Sequence, residues 1–373
     1  MTTGYVWHEI YAWHDTNLNR LGHAPAGPTA QPFPHAESPE TKARLAGLVE
    51  VSGLLDELVK IPARAATEED LLRVHTSAHV ESIKAQSAAG GGDAGDGVTP
   101  FGRGSYEIAR LAAGGTIAAT EAVLAGTVDN AYALVRPPGH HATREQGMGF
   151  CLFANVAVAI EWARAHHGVE RIAVVDWDVH HGNGTQSVFE ADPDVLTVSL
   201  HQDGLFPVLS GAMDERGVGA GEGSVLNVPL PAGTGNGGYV DALRDAVVPA
   251  LTDFRPELLL VASGFDASAM DPLGNMVVTS SGYREMTRIL LDAAADLCDG
   301  RLVMSHEGGY SPVYVPYCGL AVLEELSGHR TGVLDPFEDG YIELPAQTTS
   351  EAQRAVIAAA AGLAQQLRLT AAP

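Results

Sequence analysis

The order of segments along the chain predicts an α/β protein with a central parallel sheet and helices on both faces. Three observations predict it. Short apolar runs recur at 130–135 (NAYALV), 171–176 (RIAVVD), 194–200 (DVLTVSL), 257–263 (ELLLVAS) and 301–305 (RLVMS). Helical patterns lie between them, as at 155–167 (NVAVAIEWARAHH) and 239–254 (YVDALRDAVVPALTDF). Each run also ends in residues able to do chemistry. Near-continuous apolar strands alternating with helices belong to a parallel sheet covered on both sides. Ligands of such sheets gather beyond the carboxyl ends of the strands. One site, built by a single domain spanning residues 1–373, is the simplest account.

Taken in order, the first run leads into Arg136-Pro137-Pro138-Gly139-His140-His141. A rigid turn thus presents two imidazoles that titrate near neutrality, suited to proton exchange. The second run leads into DWDVHHGNG (176–184). Alternate strand residues share a face, which predicts Asp176, Asp178 and His180 on one side and His181 on the other. Asp178 and His180 need a third ligand, and Asp266, after the fourth run, is the best candidate. One imidazole and two carboxylates leave coordination positions open, as catalytic metal sites do. Zinc fits this set, with Fe(II) or Co(II) as alternatives. A single Asp at a strand end is ordinarily a hydrogen-bonded cap; the set across segments is what points to a metal.

The fifth run leads into HEGGY (306–310), where two glycines let the backbone approach a ligand and aim Tyr310 into the cleft. A phenol there can donate to an oxygen that becomes anionic. Phe150 and Phe206 follow motif-bearing segments and are candidate walls of a narrow slot. The remaining histidines carry less. His75 and His79 are spaced as on a helix but lack the Glu of a zinc-protease motif. His8, His14, His23 and His35 are expected at the surface, and His166 and His167 at a helix end.

Composition bounds the rest. With Lys and Arg numbering 22 and Asp and Glu 46, the net charge is −24, which argues against nucleic-acid binding. Three cysteines, Cys151, Cys298 and Cys318, form no metal-type spacing and fit a reducing compartment. No signal peptide and no apolar run of about 18 residues is visible, so the chain reads as cytosolic, without a membrane span. Residues 22–39, with five prolines, are expected to be irregular, 88–97 a Gly-rich loop, and 350–367 a helix.

In order, RPPGHHA, MGFC, DWDVHHGNGT, SLHQ, GFDASAMDPLG and EGGY resemble the class II histone deacetylase family. This belongs to the arginase-like superfamily that includes acetylpolyamine amidohydrolases; the likeness is greatest to bacterial histone deacetylase-like amidohydrolases. It runs from about Asp15 to about Gly328. The resemblance implies an arginase/deacetylase-like fold and a zinc-dependent amidohydrolase that removes acetyl or small acyl groups from lysine-like amines. Asp178, His180 and Asp266 match its zinc ligands. His141 matches the general base and acid, and His140 the partner that pairs with Asp176. Tyr310 matches the residue that polarises the acyl carbonyl, and Gly149 the backbone acceptor for the substrate amide. Phe150 and Phe206 match the tunnel walls. Asp176, Asp178, His180, Ser199 and Leu200 match a potassium site, and Phe189, Asp192 and Val195 a second one.

Departures from the family bear on specificity. Asn183 stands where class I members carry a carboxylate behind the second histidine, so His141 is expected to rest neutral. Leu273 occupies a rim position where polyamine-specific relatives can carry a glutamate. Ser38-Pro39-Glu40 replaces a more usual His-Pro-Glu. The insertion before it is expected at the entrance or in a homo-oligomer contact (dimer or tetramer). Asp93 or Asp96 is expected at the site rim. The expected partner is a small acylated amine or an acyl-lysine peptide. The alternatives are an acetylpolyamine deacetylase, a thioesterase or esterase with the same metal site, and a non-catalytic metal-dependent binding protein.

Overall fold

The structure is a computed structural model that describes residues 1–16 and 33–370. The ten strands among the described residues are β1 (Thr3–Val6), β2 (Val59–Lys60), β3 (Gly91–Asp93), β4 (Pro100–Gly102), β5 (Asn130–Ala133), β6 (Ile172–Asp176), β7 (Val195–Gln202), β8 (Val225–Leu230), β9 (Leu258–Ser263) and β10 (Leu302–His306). Eight form one sheet in the order β2-β1-β5-β10-β9-β6-β7-β8, and every pairing is parallel.

The central strands are apolar because both faces are covered. On β9, Leu259 and Val261 enter one core while Leu258 and Leu260 enter the other. On β6, Ala173 and Val175 divide from Ile172 and Val174 in the same way. One core is closed by helices including Ser280–Leu297 and Val315–Ser327, the other by Ser105–Leu124 and Asn155–His167. This is the α/β architecture expected.

Register aligns the carboxyl ends. Ala133, Ser305, Ala262, Asp176 and Ser199 sit side by side across five strands. The segments that follow them therefore leave the sheet as neighbours, although they are far apart in sequence.

Three expectations need correction. Residues 88–97 are not a plain loop: β3 pairs antiparallel with β4. The Asp93 carboxylate gathers the N–H groups of Gly95, Gly97 and Thr99 at 2.8–3.1 Å and closes the hairpin. His14 and His35 are buried, not exposed, because each imidazole has a local partner. His14 Nδ1 meets Ser105 Oγ at 2.9 Å, and His35 Nδ1 accepts from the Glu37 N–H at 3.1 Å. His75 and His79 are also buried and do not share a helix: His75 precedes the Ser77–Ala89 helix that holds His79. His75 Nδ1 donates to Thr143 O at 2.9 Å and its Nε2 accepts from the Ala154 N–H at 2.9 Å. His79 Nε2 donates to Leu152 O at 2.8 Å. His23 and residues 22–32 of the Pro-rich stretch lie outside the described residues. The C-terminal helix spans Glu351–Thr370. Among the described residues, no helix is long and apolar enough to cross a membrane.

A buried ion cluster ties the N-terminal segment to the site. Arg136 Nε donates to Glu37 Oε1 at 2.8 Å, and Lys42 Nζ to the same oxygen at 3.2 Å. Arg136 Nη1 also donates to the carbonyls of Tyr11 and His14. Both cations depend on one carboxylate. Glu37→Gln is expected to cost about 3–5 kcal/mol, because it leaves buried charge uncompensated. Chemical denaturation of both proteins measures it.

Candidate active site

The strand geometry expected for 176–180 holds only at its start. β6 ends at Asp176, whose Oδ1 accepts the Asp178 N–H at 3.0 Å; Asp178 Oδ1 then accepts the His180 N–H at 3.0 Å. Two successive Asx-type turns thus replace strand alternation. They still bring Asp178 and His180 together and place Asp266 beside them. One ligand-type atom from each of the three lies within 4.8 Å of the others, and all three residues are buried.

The carboxylates are held by backbone donors. Gly308 N–H donates to Asp178 Oδ2 at 2.8 Å and Val179 N–H to Asp266 Oδ1 at 2.8 Å. A Cβ at Gly308 would fall onto both carboxylates, so only glycine lets the chain pass here. His180 Nδ1 approaches Asp178 Oδ1 at 3.0 Å and Asp266 Oδ2 at 3.1 Å. Burial, then the Asp178 carboxylate, push Asp266 up to about 6. Clustered buried anions with converging donors and backbone-fixed orientations fit a divalent cation.

Next to this cradle stand two histidines with opposite electrostatics. His140 Nδ1 donates to Asp176 Oδ2 at 2.8 Å. Burial opposes charge on His140, but the Asp178 and Asp176 carboxylates outweigh it and hold its pKa well above the usual value. His141 Nδ1 donates to Asn183 Oδ1 at 2.7 Å. Burial, then His140 and His180, hold the His141 pKa well below the usual value. The two neighbours are thus biased oppositely, His140 toward its charged form and His141 toward its neutral form.

Tyr310 is placed by its backbone and by its ring. Its N–H donates to Asp271 Oδ2 at 2.6 Å, and Lys42 Nζ lies 5.7 Å from the ring centroid. Burial, then the Asp266 and Asp178 carboxylates, raise its pKa well above the usual value, so the phenol stays a donor. The Phe150 ring stands edge-on to Tyr310 at 5.6 Å and to His35 at 4.8 Å, while the Phe206 ring stands 5.0 Å from His141. Phe150 adopts φ 72 directly after Gly149 at φ 54, where a Cβ would strike His141.

At the rim, Asp96 rather than Asp93 reaches the site: its Oδ2 accepts the Gly149 N–H at 2.8 Å. Leu273 is half-buried, its N–H donating to Asp271 Oδ1 at 2.9 Å. Asp176 and Ser199 line a cavity of about 10 Å³, which Asp178, His180 and Leu200 do not. At the second expected potassium site, the Asp192 carboxylate is taken by Arg164 at 2.6 Å; Phe189 O accepts the Asp192 N–H at 2.8 Å, and Val195 opens β7.

Sequence reasoning missed Asp271, Glu37, Lys42 and the role of Glu307. Glu307 Oε2 accepts the N–H groups of Gly139 and His140 at 2.6 and 3.0 Å. It stands in HEGGY, so its neighbours were the available signal.

Residues 35–326 match the histone deacetylase domain. The chain belongs to the histone deacetylase family. It is 54% identical over 345 residues to a histone deacetylase-like amidohydrolase of Pseudomonas aeruginosa, covering 92% of this chain and 90% of the relative. It is 38% identical to a probable deacetylase of Archaeoglobus fulgidus, covering 88% and 87%. The crystal structure of the HDA15 HD domain superposes with a TM-score of 0.85 at 34% identity, over 99% of this chain and 96% of that one. This deacetylase-family chain is therefore a hydrolase of amide bonds from a metal-dependent family.

Proposed function

We propose that this chain is a zinc-dependent amidohydrolase, a single catalytic domain that releases acetyl or small acyl groups from lysine-like amines. The observation that carries this reading is the Asp178–His180–Asp266 cradle beside two histidines, His140 backed by the Asp176 carboxylate and His141 by the Asn183 amide. A zinc ion held by these three residues would supply Lewis acidity and a bound water of lowered pKa.

The chain's own groups do the rest. His141 accepts the proton of the attacking water at Nε2, since Asn183 keeps its Nδ1 protonated. The Tyr310 hydroxyl donates to the acyl oxygen as it gains charge. Protonated His140, braced by Asp176, stabilises that charge, and a protonated histidine gives the departing amine its proton. Phe150 and Phe206 admit a slender alkyl chain. Gly149 O accepts the substrate N–H, with Asp96 holding the Gly149 backbone from behind. Leu273 offers no fixed anion to a distant ammonium, which favours acyl-lysine over acetylpolyamine.

The test is turnover of acetyl-lysine peptides, monoacetylated diamines, longer acyl amides and aryl esters, with and without chelator. Chelator-sensitive cleavage fastest on acetyl-lysine is expected. Diamine or ester preference would reassign the substrate. No turnover of any member by the metal-restored protein would leave a binding protein.

Asn183→Asp is expected to move the acid limb of the pH–rate profile upward. A carboxylate behind His141 favours its charged form, so a higher pH is needed to free Nε2. Profiles of kcat/KM for both proteins measure the shift.

A further inference from the structure

A second set of metal-type donors lies against the first and shares no residue with it. His140, Cys151 and Glu307 are buried, and one ligand-type atom from each lies within 4.8 Å of the others. They arrive from three places: the turn after β5, the Met148–Cys151 bridge, and the end of β10.

Each donor can turn one atom to a shared ion, His140 and Cys151 on loss of a proton. Glu307 is fully buried, and its Oε1 has no hydrogen-bond partner among the described residues, while Oε2 is taken by two backbone N–H groups. A buried carboxylate oxygen without a partner is costly and is relieved by a cation. His140 Nδ1 is committed to Asp176, which leaves Nε2; a carboxylate behind an imidazole is the usual support of a metal-bound histidine. The Cys151 thiol donates weakly to Gly149 O at 3.5 Å, and the His141 backbone also bonds its sulfur.

We infer that His140, Cys151 and Glu307 form a second divalent-cation site, selective for borderline-soft ions such as Zn²⁺ or Cd²⁺. Imidazole, thiolate and carboxylate together favour these over Mg²⁺ or Ca²⁺. Tetrahedral bonds of about 2.0–2.3 Å need donors nearer than the 4.8 Å within which these lie, a closure of at most about 1.5 Å. Cys151 binds as thiolate and His140 through Nε2 as neutral imidazole, and the proton of each leaves to solvent as the ion enters. Resting on the function proposed above, occupation ties up His140 Nε2, which lies 3.8 Å from Asp178 Oδ1. Excess metal therefore inhibits without displacing the first ion.

The experiment loads the protein with one equivalent of Zn²⁺ and titrates it with Cd²⁺. Metal content, ultraviolet thiolate-to-cadmium absorption and deacetylation are followed. Wild type is expected to take up a second equivalent, gain the absorption band and lose at least ten-fold in rate. Cys151→Ser should hold one equivalent, show no band and resist inhibition. Asp266→Ala should lose the first ion but keep the band, which reports the second site independently of activity. Wild type stopping at one equivalent without a band overturns the site, as does a Cys151→Ser protein that matches wild type in band and uptake. A band without turnover of any substrate would leave the site standing and remove the function proposed above.

Discussion

Asp266→Ala is expected to purify with the divalent ion lost from its cradle and with hydrolysis at background. The variant removes one of three donors and leaves Asp178 and His180 alone. Supporting residues behind metal ligands are worth about 10–100-fold in affinity, and a ligand itself is worth more, so a loss beyond about 100-fold is expected. The fold should survive. Removing Asp266 also removes a buried carboxylate whose charge repels that of Asp178. Elemental analysis beside circular dichroism reads both results. Metal uptake equal to wild type in Asp266→Ala and in Asp178→Ala would remove the proposed centre.

Tyr310→Phe is expected to lower kcat by about 10²–10³-fold while leaving KM within a few-fold. The hydroxyl acts on charge that develops during the reaction, and loss of one such donor costs about that much. The ring stays, so its edge contact with Phe150 and the nearby Lys42 persist and substrate entry is spared. Asp271→Asn is the informative companion. It weakens the short backbone bond at Tyr310 N–H but keeps the phenol, so a smaller fall in kcat at unchanged metal content is expected. Steady-state kinetics on an acetyl-lysine peptide separate the two.

Five of the eight parallel strands were legible because they are apolar on both faces and end in polar clusters. β8 was not: Pro229 interrupts it, and proline is tolerated only because β8 lies at the sheet edge. β2 is two exposed residues, below any pattern. Among site residues, those clustered in motifs were visible, and those acting through distant partners were not. Lys42 looks like any helical lysine until Glu37 and Tyr310 are seen around it. His75 and His79 drew no role from the sequence because their partners, the carbonyls of Thr143 and Leu152, are backbone groups far along the chain. Asp93 and Asp96 could not be separated three residues apart; hairpin geometry turned one inward to its own loop and the other toward Gly149.

By itself, the sequence determined the layered α/β architecture and the residue types of the proposed metal cradle, because strand burial and donor chemistry are local properties. Only the tertiary structure decided which groups support them: Asp271 behind Tyr310, Glu37 between two buried cations, and Glu307 and Cys151 beside His140. Sheet register is the reason. Aligning strand ends brings segments more than a hundred residues apart into hydrogen-bond range, and no local pattern encodes which of their atoms will meet.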